Sequence, residues 1–319
     1  MIAPAPAAAA SASSVDEQPP PETPLPPTPI AWRLALAAGV AALGGTAYLL
    51  HATLGHRFQA GMGILCFLGI AACFSKSLQS VSRKTLLWGV GLQFALAVAV
   101  IHVKEVRVVF DAIGVGIKAL IAASDKGGEF VFGSLSKVDG PAGFVFAFKA
   151  LPPILFVSSF FSVLYYFGVL QFFVKLMARA MMYLMGTSGA ETLSVSANVF
   201  MGQTEAPLIV KPFVPRMTKS ELLALMGSGM AHISGGMMAL YISYGADPVS
   251  ILATCVMACP CSLYLTKLIL PEAGKPVTAG TAPITVETTY VNAVDAAAPG
   301  AKDGLRLALH GPAMLLGFL

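Results

Sequence analysis

Long apolar runs separated by short polar segments dominate this 319-residue chain from residue 31 onward. A helix needs about 20 mostly apolar residues to cross a bilayer. Six segments are close enough to that length to predict membrane helices: 31–50, 58–74, 86–103, 143–170, Thr218 to about Tyr244, and Asp247 to about Leu270. A further apolar helix is predicted to begin at Asp303. The pattern therefore predicts an all-α integral membrane protein, a multi-span helical bundle.

Two segments alternate apolar and charged residues and are predicted to lie on the membrane surface. These segments are 104–124 and 172–185. Residues 125–142 contain several glycines and a proline and are predicted to form a loop. Within the run 143–170, the adjacent Pro152 and Pro153 predict a kink, which a packed membrane helix tolerates.

The stretch 187–213, TSGAETLSVSANVFMGQTEAPLIVKPF, interrupts the apolar pattern with acidic, amide and hydroxyl side chains. Such groups are costly at membrane depth and indicate a functional site by default. Gly202 permits a sharp backbone bend, and Pro207 suits the first residue of a new helix. We therefore predict two half-helices, 188–200 and 206–214, that meet at a polar tip. Non-helical backbone is tolerated in a membrane only where protein or a wet cavity surrounds it, so the stretch is predicted to be a re-entrant hairpin.

The predicted tip, residues 201–205, carries groups that suit a neutral polar solute. Gln203 offers an acceptor and two donors, Thr204 a hydroxyl, and ionised Glu205 acceptors only. Together these groups match the edge of a nucleobase or a sugar diol. The plainer interpretation is that the polar groups satisfy one another within a helix bundle.

Composition agrees with a membrane location and argues against a nucleic-acid-binding protein and against a disulfide-stapled secreted domain. The chain is 56% hydrophobic and 11% charged, with a mean hydropathy of +0.76, whereas soluble domains carry about 25% charged residues. The net charge of +4 is not concentrated in a basic tract, so no nucleic-acid partner is expected. The five cysteines lie in apolar runs, unlike those of a disulfide-stapled secreted domain. Residues 1–30 lack a secretory signal and are predicted to be a disordered Ala/Pro-rich tail.

The segment ANVFMGQTEAPLIVKPF of the predicted hairpin resembles the first re-entrant hairpin of the concentrative nucleoside transporters, whose members carry a G-Q-T-E-A-P-like tip. The flanking stretches FVSSFFSVLYYFGVLQ and MTKSELLALMGSGMAHISGG agree with the same family. The resemblance runs from about Ala52 to Leu319. It implies a secondary active importer of nucleosides coupled to Na+ or H+, with no other cofactor, and not an enzyme. It also implies a homotrimer in the lipid bilayer, in a bacterial inner (plasma) membrane.

Family members contain two inverted repeats, each of which contributes a hairpin and a broken helix to one site near the bilayer midplane. The chain resembles the first repeat, so the expected fold is half of an inverted-repeat transporter. The family pattern places a further surface helix, a second hairpin and two more helices after Leu319. In relatives that second half holds the ribose, so the chain is expected to be a truncated form.

The resemblance implies two sets of site residues. The substrate set is Gly202, Gln203, Thr204, Glu205 and Met237. The cation set is Asn198, Met201 through its backbone carbonyl, His232 and Ile233. Carbonyl groups freed near a helix break suit a sodium ion. The alternative role of Asn198 is a capping or interhelical hydrogen bond, and that of Met237 is plain packing.

His232 departs from the family pattern, because most sodium-coupled relatives have a hydroxyl residue at the matching position. Imidazole is a poor sodium ligand but titrates near neutral pH, so one hypothesis is that His232 replaces the sodium function with a protonatable group. The alternative is a neutral histidine bonded to a neighbouring serine or backbone carbonyl. The runner-up functions are therefore a proton-coupled carrier of another small polar metabolite and an inactive truncated relative.

The sequence predicts a division of the chain into five segments: the tail 1–30, scaffold spans and surface helices 31–185, the transport hairpin with two following helices 186–271, a loop 272–302, and the start of a further span 303–319. Three cysteines, Cys255, Cys259 and Cys261, are predicted to be small buried hydrophobes and not a metal site. Glu191 either faces the cavity or pairs with Lys211, and the sequence leaves this open.

Overall fold

The computed structural model describes residues 19–137, 145–203, 206–280 and 291–318, and the regular structure within these ranges is helical. The described ranges contain twelve α-helices: α1 Ile30–Leu49, α2 His51–Cys73, α3 Arg83–His102, α4 Lys104–Phe132, α5 Phe146–Tyr166, α6 Val169–Met185, α7 Gly189–Ala197, α8 Ala206–Ile209, α9 Lys219–Ala231, α10 Gly235–Ser243, α11 Pro248–Ile269 and α12 Ala293–Phe318. Short 3-10 turns occupy Leu78–Ser80, Gly133–Ser136 and Lys211–Arg216. The prediction of an all-α fold is confirmed.

Five segments of the described ranges are long and apolar enough to cross a membrane: Ile30–Leu49, Gly55–Cys73, Arg83–His102, Lys219–Ser243 and Pro248–Ile269. A sixth candidate is the pair Leu151–Tyr166 and Val169–Met185, whose helices meet at 76°. The multi-span prediction is therefore confirmed. The bend of this pair lies at Gly168, whose φ of 79° suits glycine, while α5 continues through Pro152 and Pro153.

The helices form an exposed outer group and a buried inner group. The buried share of the spanning window is 6% for α1, 6% for α2 and 11% for α3, against 44% for α9–α10 and 50% for α11. Helix α7 is buried along its whole length. Because the exposed faces of α1 to α3 are apolar, they suit lipid or neighbouring subunits. The inner group carries the hairpin.

Residues 19–29, at the end of the predicted disordered tail, lie against the helix ends as an extended arm. The carboxylate of Glu22 accepts the backbone N–H of Lys219 at 2.9 Å and pairs with its ammonium group at 3.2 Å. The N–H bond holds the pKa of the Glu22 carboxyl below its usual range. Thr28 donates its backbone N–H to Lys76 at 3.0 Å. The tail prediction is wrong for this part, because free backbone groups at helix ends bind the arm; residues 1–18 lie outside the described ranges.

Two helices are longer than the sequence predicted. Helix α4 continues to Phe132, so the predicted loop 125–142 starts later, and Asp125 pairs with Lys149 of α5 at 2.8 Å. Helix α12 begins at Ala293 and not at Asp303, within the predicted loop 272–302. Packing against α5 overrides the low helix propensity of this glycine- and proline-containing segment.

Helix α12 approaches α5 very closely because the face of α12 that packs on α5 contains glycines. A Cβ atom on Gly304 would lie 2.9 Å from the Cα of Leu155 and 3.0 Å from the carbonyl oxygen of Ile154. The hydroxyl of Ser159 donates to the carbonyl of Ala297 at 2.9 Å. Small residues that let two backbones approach are a common means of helix association in membranes.

The substitution Gly304→Val is expected to separate α5 from α12 and to lower the melting temperature. The added side chain meets helix backbone, and over-packing of this kind costs about 1–3 kcal/mol. Thermal unfolding of the purified protein in detergent measures the effect. Gly317→Val is the matched control, since a Cβ on Gly317 of the same helix has no neighbour within 4 Å. Equal destabilisation by both variants would contradict the close-packing interpretation.

Candidate functional site

The first half of the hairpin is α7, which begins at a capping box. The Ser188 hydroxyl accepts the N–H of Glu191, and the Glu191 carboxylate accepts the N–H of Ser188 at 2.8 Å. These bonds satisfy N–H groups that a helix start leaves free. The helix ends at Ala197, earlier than the predicted residue 200. It ends there because the N–H groups of Val199 and Phe200 bond three residues back and not four.

The second half of the hairpin is shorter than predicted. Helix α8 ends at Ile209, and a 3-10 turn over Lys211–Arg216 replaces the rest of the predicted half-helix 206–214. Pro212 and Pro215 lack the N–H that an α-helix needs. Two predicted substrate residues, Thr204 and Glu205, lie outside the described residues.

The helix predicted from Thr218 to Tyr244 is broken in its middle. Helix α9 starts at a capping box of Thr218 and Glu221 and ends at Ala231. His232 then adopts an extended conformation with φ −112° and ψ 154°. Ser234 caps a new helix, α10, by accepting the N–H of Met237 at 3.4 Å. The break follows from this local cap, because a side chain that bonds the backbone competes with helix continuation.

The broken helix and the hairpin tip meet at one place, which we call the junction: residues 198–203 of the hairpin and residues 228–237 of α9 and α10. The N–H of Gly235 donates to the carbonyl of Phe200 at 3.3 Å. A Cβ on Gly229 would lie 3.1 Å from the Cβ of Gln203, and a Cβ on Gly202 would lie 3.5 Å from that of Ser234. The hairpin therefore lies close against the small residues of this helix.

Two of the predicted cation residues, Asn198 and His232, contact the same residue at the junction, Ser228. The Asn198 amide donates to the Ser228 hydroxyl at 3.0 Å, and His232 Nδ1 lies 2.8 Å from the Ser228 carbonyl oxygen. Met201 follows Phe200, whose carbonyl oxygen accepts the N–H of Gly235. Ile233 follows His232 in the break between α9 and α10. Asn198 and His232, which are some thirty positions apart in the sequence, are therefore brought to one place.

Asn198 leaves one oxygen without a partner. Its side chain is 1% exposed, and its Oδ1 has no hydrogen bond within the described part of the chain. The Ser194 hydroxyl, one helical turn earlier on α7, is buried and unpartnered in the same way. Buried polar atoms normally have a partner, so these oxygens suit a hard cation such as sodium, which binds oxygen ligands.

The predicted substrate residues of the described ranges divide into two groups. Gly202 and Gln203 form the tip, and Gln203 is exposed. Met237 lies in the first turn of α10 and packs partly buried against Ile154 and Leu240. This arrangement agrees with the alternative role of Met237, which is packing alone. Gln203 at the tip is exposed instead.

Glu191 pairs with Lys267 and not with Lys211. The Lys267 ammonium lies 2.8 Å from Glu191 Oε2 and 2.9 Å from Glu272 Oε2. Glu191 Oε2 has no other hydrogen bond within the described residues, so it depends on this ammonium. The Ser188 hydroxyl also donates to Glu221, the capping residue of α9. This network at the base of the hairpin joins α7, α9 and α11.

The three cysteines of α11 have different surroundings. Cys255 and Cys259 are buried and Cys261 is half-buried, and the described residues contain no cluster of three metal-binding side chains. The Cys259 sulfur lies 3.4 Å from His232 Nε2. Cys259 therefore contacts a predicted site residue, which its prediction as a plain buried hydrophobe did not include.

Sequence reasoning missed Ser194, Ser228 and Cys259 as neighbours of the site. Ser194 lies four residues before Asn198 and Ser228 four residues before His232, so helical periodicity alone places each beside a predicted residue. Cys259 has no such signal, because its contact with His232 crosses between helices.

The fold and the junction define a class of protein, the helical membrane transporters in which a re-entrant hairpin meets a broken helix. Three family profiles match successive parts of the chain: "Na+ dependent nucleoside transporter N-terminus" over residues 62–135, "Nucleoside recognition" (Gate) over 147–248, and "Na+ dependent nucleoside transporter C-terminus" over 250–319. The chain belongs to the concentrative, sodium-dependent nucleoside transporter family.

Relatives and solved structures agree with this assignment. Sodium/nucleoside cotransporter 1 of Mus musculus is 40% identical over 260 residues, which cover 81% of this chain and 39% of the relative. An uncharacterized transporter of Haemophilus influenzae is 36% identical over 258 residues, covering 81% of this chain and 62% of that protein. The structure of CNTnw in an inward-facing substrate-bound state matches with a TM-score of 0.72 and 36% identity, covering 80% of this chain and 61% of CNTnw. The chain thus spans between about two fifths and three fifths of the length of these proteins.

Proposed function

We propose that this protein is a cation-coupled secondary active transporter that imports nucleosides, with sodium as the coupling ion. The observation that carries the proposal is the junction, where a polar hairpin tip meets a broken helix beside the buried, unpartnered Oδ1 of Asn198. Family membership and the sodium/nucleoside cotransporters among the relatives support the same reaction. Like them, the protein is a transporter and not an enzyme in this proposal.

The proposed substrate contacts lie at the hairpin tip. Gln203 supplies amide donors and an acceptor for the nucleobase edge, and Thr204 and Glu205 complete the set. Gly202 lets the backbone come close to the bound base, and Met237 lies beside the site as an apolar contact. Gln203 is exposed. Its amide group is therefore accessible to a solute, which supports this role.

The proposed sodium ligands are the side-chain oxygen of Asn198, the backbone carbonyl of Met201, and groups of His232 and Ile233 in the break. Sodium favours hard oxygen ligands, which frayed backbone near a helix break supplies. The buried position of Asn198 Oδ1 supports this assignment, since the atom needs a partner that the described protein residues do not provide.

The second candidate is a proton-coupled carrier of another small polar metabolite. The observation in its favour is His232, a titratable side chain at the junction, where the family resemblance led us to expect a hydroxyl residue. A structural histidine would make the same Nδ1 contact with the Ser228 carbonyl, so this contact does not separate the two roles. The variant His232→Ser separates the two: a proton carrier would lose the pH dependence of its uptake, whereas a structural histidine would leave it unaltered.

We further propose that the hairpin, α9, α10 and α11 move together against a scaffold of the earlier spans. The network of Lys267 at the base of the hairpin supports one moving body, because it ties α7, α9 and α11 to each other. The exposed apolar faces of α1 to α3 suit a homotrimer in a bacterial inner membrane. Light scattering of the purified protein with bound detergent subtracted tests the trimer.

The substitution Glu205→Ala is expected to abolish nucleoside uptake, because it removes the acceptors proposed to hold the base. Uptake of labelled uridine is measured in vesicles that contain the product of the reading frame as the genome encodes it, including any coding sequence beyond Leu319. Unlabelled uridine and adenosine serve as competitors, and the matched control is Glu129→Ala, an exposed acidic residue of α4. Uptake by Glu205→Ala equal to that of wild type would contradict the proposed site, and competition by neither nucleoside would contradict the substrate.

A further inference from the structure

Helix α6 has two apolar faces, and only one of them packs against the protein. The packed face consists of the buried residues of this helix: Leu170, Val174, Ala178, Met181 and Met185. On the opposite face Phe172, Leu176 and Tyr183 are exposed, Tyr183 by 82%. These three side chains share a face because they are spaced four and seven residues apart. An exposed apolar face of this kind indicates an interaction surface.

The direction of α6 brings its exposed face to the surface of the bilayer. The helix turns by 76° from α5, with which it forms the sixth spanning candidate. A helix that leaves a spanning helix at nearly a right angle runs along the membrane plane, where its apolar side chains lie at the boundary between headgroups and acyl chains. The exposed apolar side chains of α6 therefore fit the acyl chains of a lipid.

The same face carries positive charge and no negative charge. Lys175 and Arg179 lie on it at one-turn spacing, and the sequence of α6 contains no acidic residue. A third cation, Lys84 of α3, covers the end of α6: a Cβ on Gly186, the residue that ends this helix, would lie 3.7 Å from the Lys84 ammonium. Within the described residues none of these three cations forms an ion pair. The exposed face therefore complements an anionic partner.

Arg179, Tyr183 and Lys84 are placed to bind one anion together. Arg179 and Gly186 are seven residues apart, which is about two turns on one face and roughly 10 Å along the helix axis. Tyr183 is exposed between them, and its hydroxyl is a hydrogen-bond donor. A guanidinium group binds phosphate through two parallel N–H donors, and an ammonium group adds a point charge. A phosphate over Tyr183 therefore lies within reach of both cations.

Trp88 indicates the depth of these groups in the membrane. It lies one turn after Lys84 on α3 and is 49% exposed, and tryptophan is enriched where headgroups meet acyl chains. The hydroxyl of Thr85 donates to the carbonyl of Met185 at 2.9 Å, which joins the start of α3 to the end of α6. The cations of both helices therefore lie at the level of the lipid headgroups.

We propose that Lys84, Arg179 and Tyr183 form a binding site for the phosphate of an anionic phospholipid, whose acyl chains lie along the exposed apolar side chains of α6. These side chains favour a lipid over a soluble phosphate, because a soluble anion has no apolar part to cover them. The bound lipid holds α6 at the membrane surface and with it the base of the hairpin, which begins directly after Gly186. The site shares no residue with the proposed transport site and does not depend on transport.

Quenching by a phospholipid with brominated acyl chains tests the site through Trp88. Trp32→Phe leaves Trp88 as the single tryptophan of the full chain, which is reconstituted in vesicles of phosphatidylcholine with increasing brominated phosphatidylglycerol. We expect phosphatidylglycerol to bind near Trp88 with roughly tenfold higher relative affinity than phosphatidylcholine that carries the same brominated chains. Equal quenching by the two brominated lipids would overturn the proposal.

The double variant Lys84→Gln with Arg179→Gln is expected to lose this preference and to bind both lipids equally. The matched control is Lys104→Gln with Arg107→Gln, which removes the same charge from the exposed start of α4 and is expected to keep the preference. Equal loss in both double variants would show a general effect of surface charge and would overturn the site.

The melting temperature of each variant in detergent reports on its fold. Lys84 and Arg179 are exposed, so the double variant is expected to melt like its parent. If it melts lower, the single variants decide: Lys84→Gln and Arg179→Gln are each expected to lower the relative affinity about threefold to fivefold, and Arg179→Lys less. Single variants that keep the full preference would overturn the proposal.

Inorganic phosphate separates a lipid site from a site for soluble anions. Quenching is compared in sodium phosphate and in sodium chloride of the same ionic strength, and we expect no difference between them. Displacement of brominated phosphatidylglycerol by phosphate would show a soluble-anion site and would overturn the lipid assignment. The measurement contains no nucleoside and no gradient, so a failure of the proposed transport would leave its outcome unaffected.

Discussion

Replacement of Lys267 by methionine is expected to lower the free energy of unfolding by about 3–5 kcal/mol, the usual cost of breaking a buried ion pair from one side. The Lys267 ammonium lies 2.8 Å from Glu191 and 2.9 Å from Glu272. Methionine keeps a similar length but removes the charge, so Glu191, which is 1% exposed, is left without a counter-charge. Chemical denaturation in detergent, followed by tryptophan fluorescence, measures the change.

Two comparison variants separate this buried pair from a surface pair. Lys219→Met breaks the pair with Glu22, where the lysine side chain is 74% exposed, and is expected to cost at most about 1 kcal/mol. The double variant Lys267→Met with Glu191→Gln is expected to recover part of the loss, since no unpaired charge remains at Glu191. Equal effects of Lys267→Met and Lys219→Met would show that the network at the base of the hairpin does not stabilise the fold.

The second large effect is expected for Asn198→Ala. This variant removes the buried oxygen proposed to bind sodium, so the sodium concentration for half-maximal uridine uptake is expected to rise at least about tenfold, which corresponds to about 1.4 kcal/mol. The sodium dependence of uptake at a fixed uridine concentration measures it. Asn292→Ala is the matched control, because the Asn292 side chain caps α12 by accepting the N–H of Asp295 at 2.8 Å. An unchanged sodium dependence in Asn198→Ala would contradict its role as a ligand.

Local signals predicted much of the fold and the position of the hairpin. Gly202 and Pro207 place the tip between two half-helices, because glycine tolerates a sharp bend and proline suits the first turn of a new helix. The capping box of Thr218 and Glu221 places the start of α9. The small residues around Gly235 are typical of a close helix approach, and a Cβ there would overlap the ring of Phe161. These features depend on neighbouring residues and are readable from a sequence.

The features that the sequence did not predict depend on contacts between distant segments. The sequence left open whether Glu191 faces the cavity or pairs with Lys211, whereas the packing of α11 against the hairpin brings Lys267 to it. The contact of Cys259 with His232 joins two helices in the same way. Helix α12 starts at the Asn292 cap, a local signal that the prediction overlooked. Its continuation through Pro299 and Gly300 is a tertiary effect, because α5 packs against it there. The site roles of the predicted residues stay predictions until transport is measured.

The most direct test of cation-coupled nucleoside transport is uridine accumulation in proteoliposomes under one imposed gradient at a time. The account predicts that an inward sodium gradient drives uridine above its external concentration, and that a proton gradient without sodium does not. Collapse of the sodium gradient should release the accumulated uridine. Accumulation driven by protons alone, or uptake that only reaches the external concentration under either gradient, would contradict sodium-coupled transport by this protein.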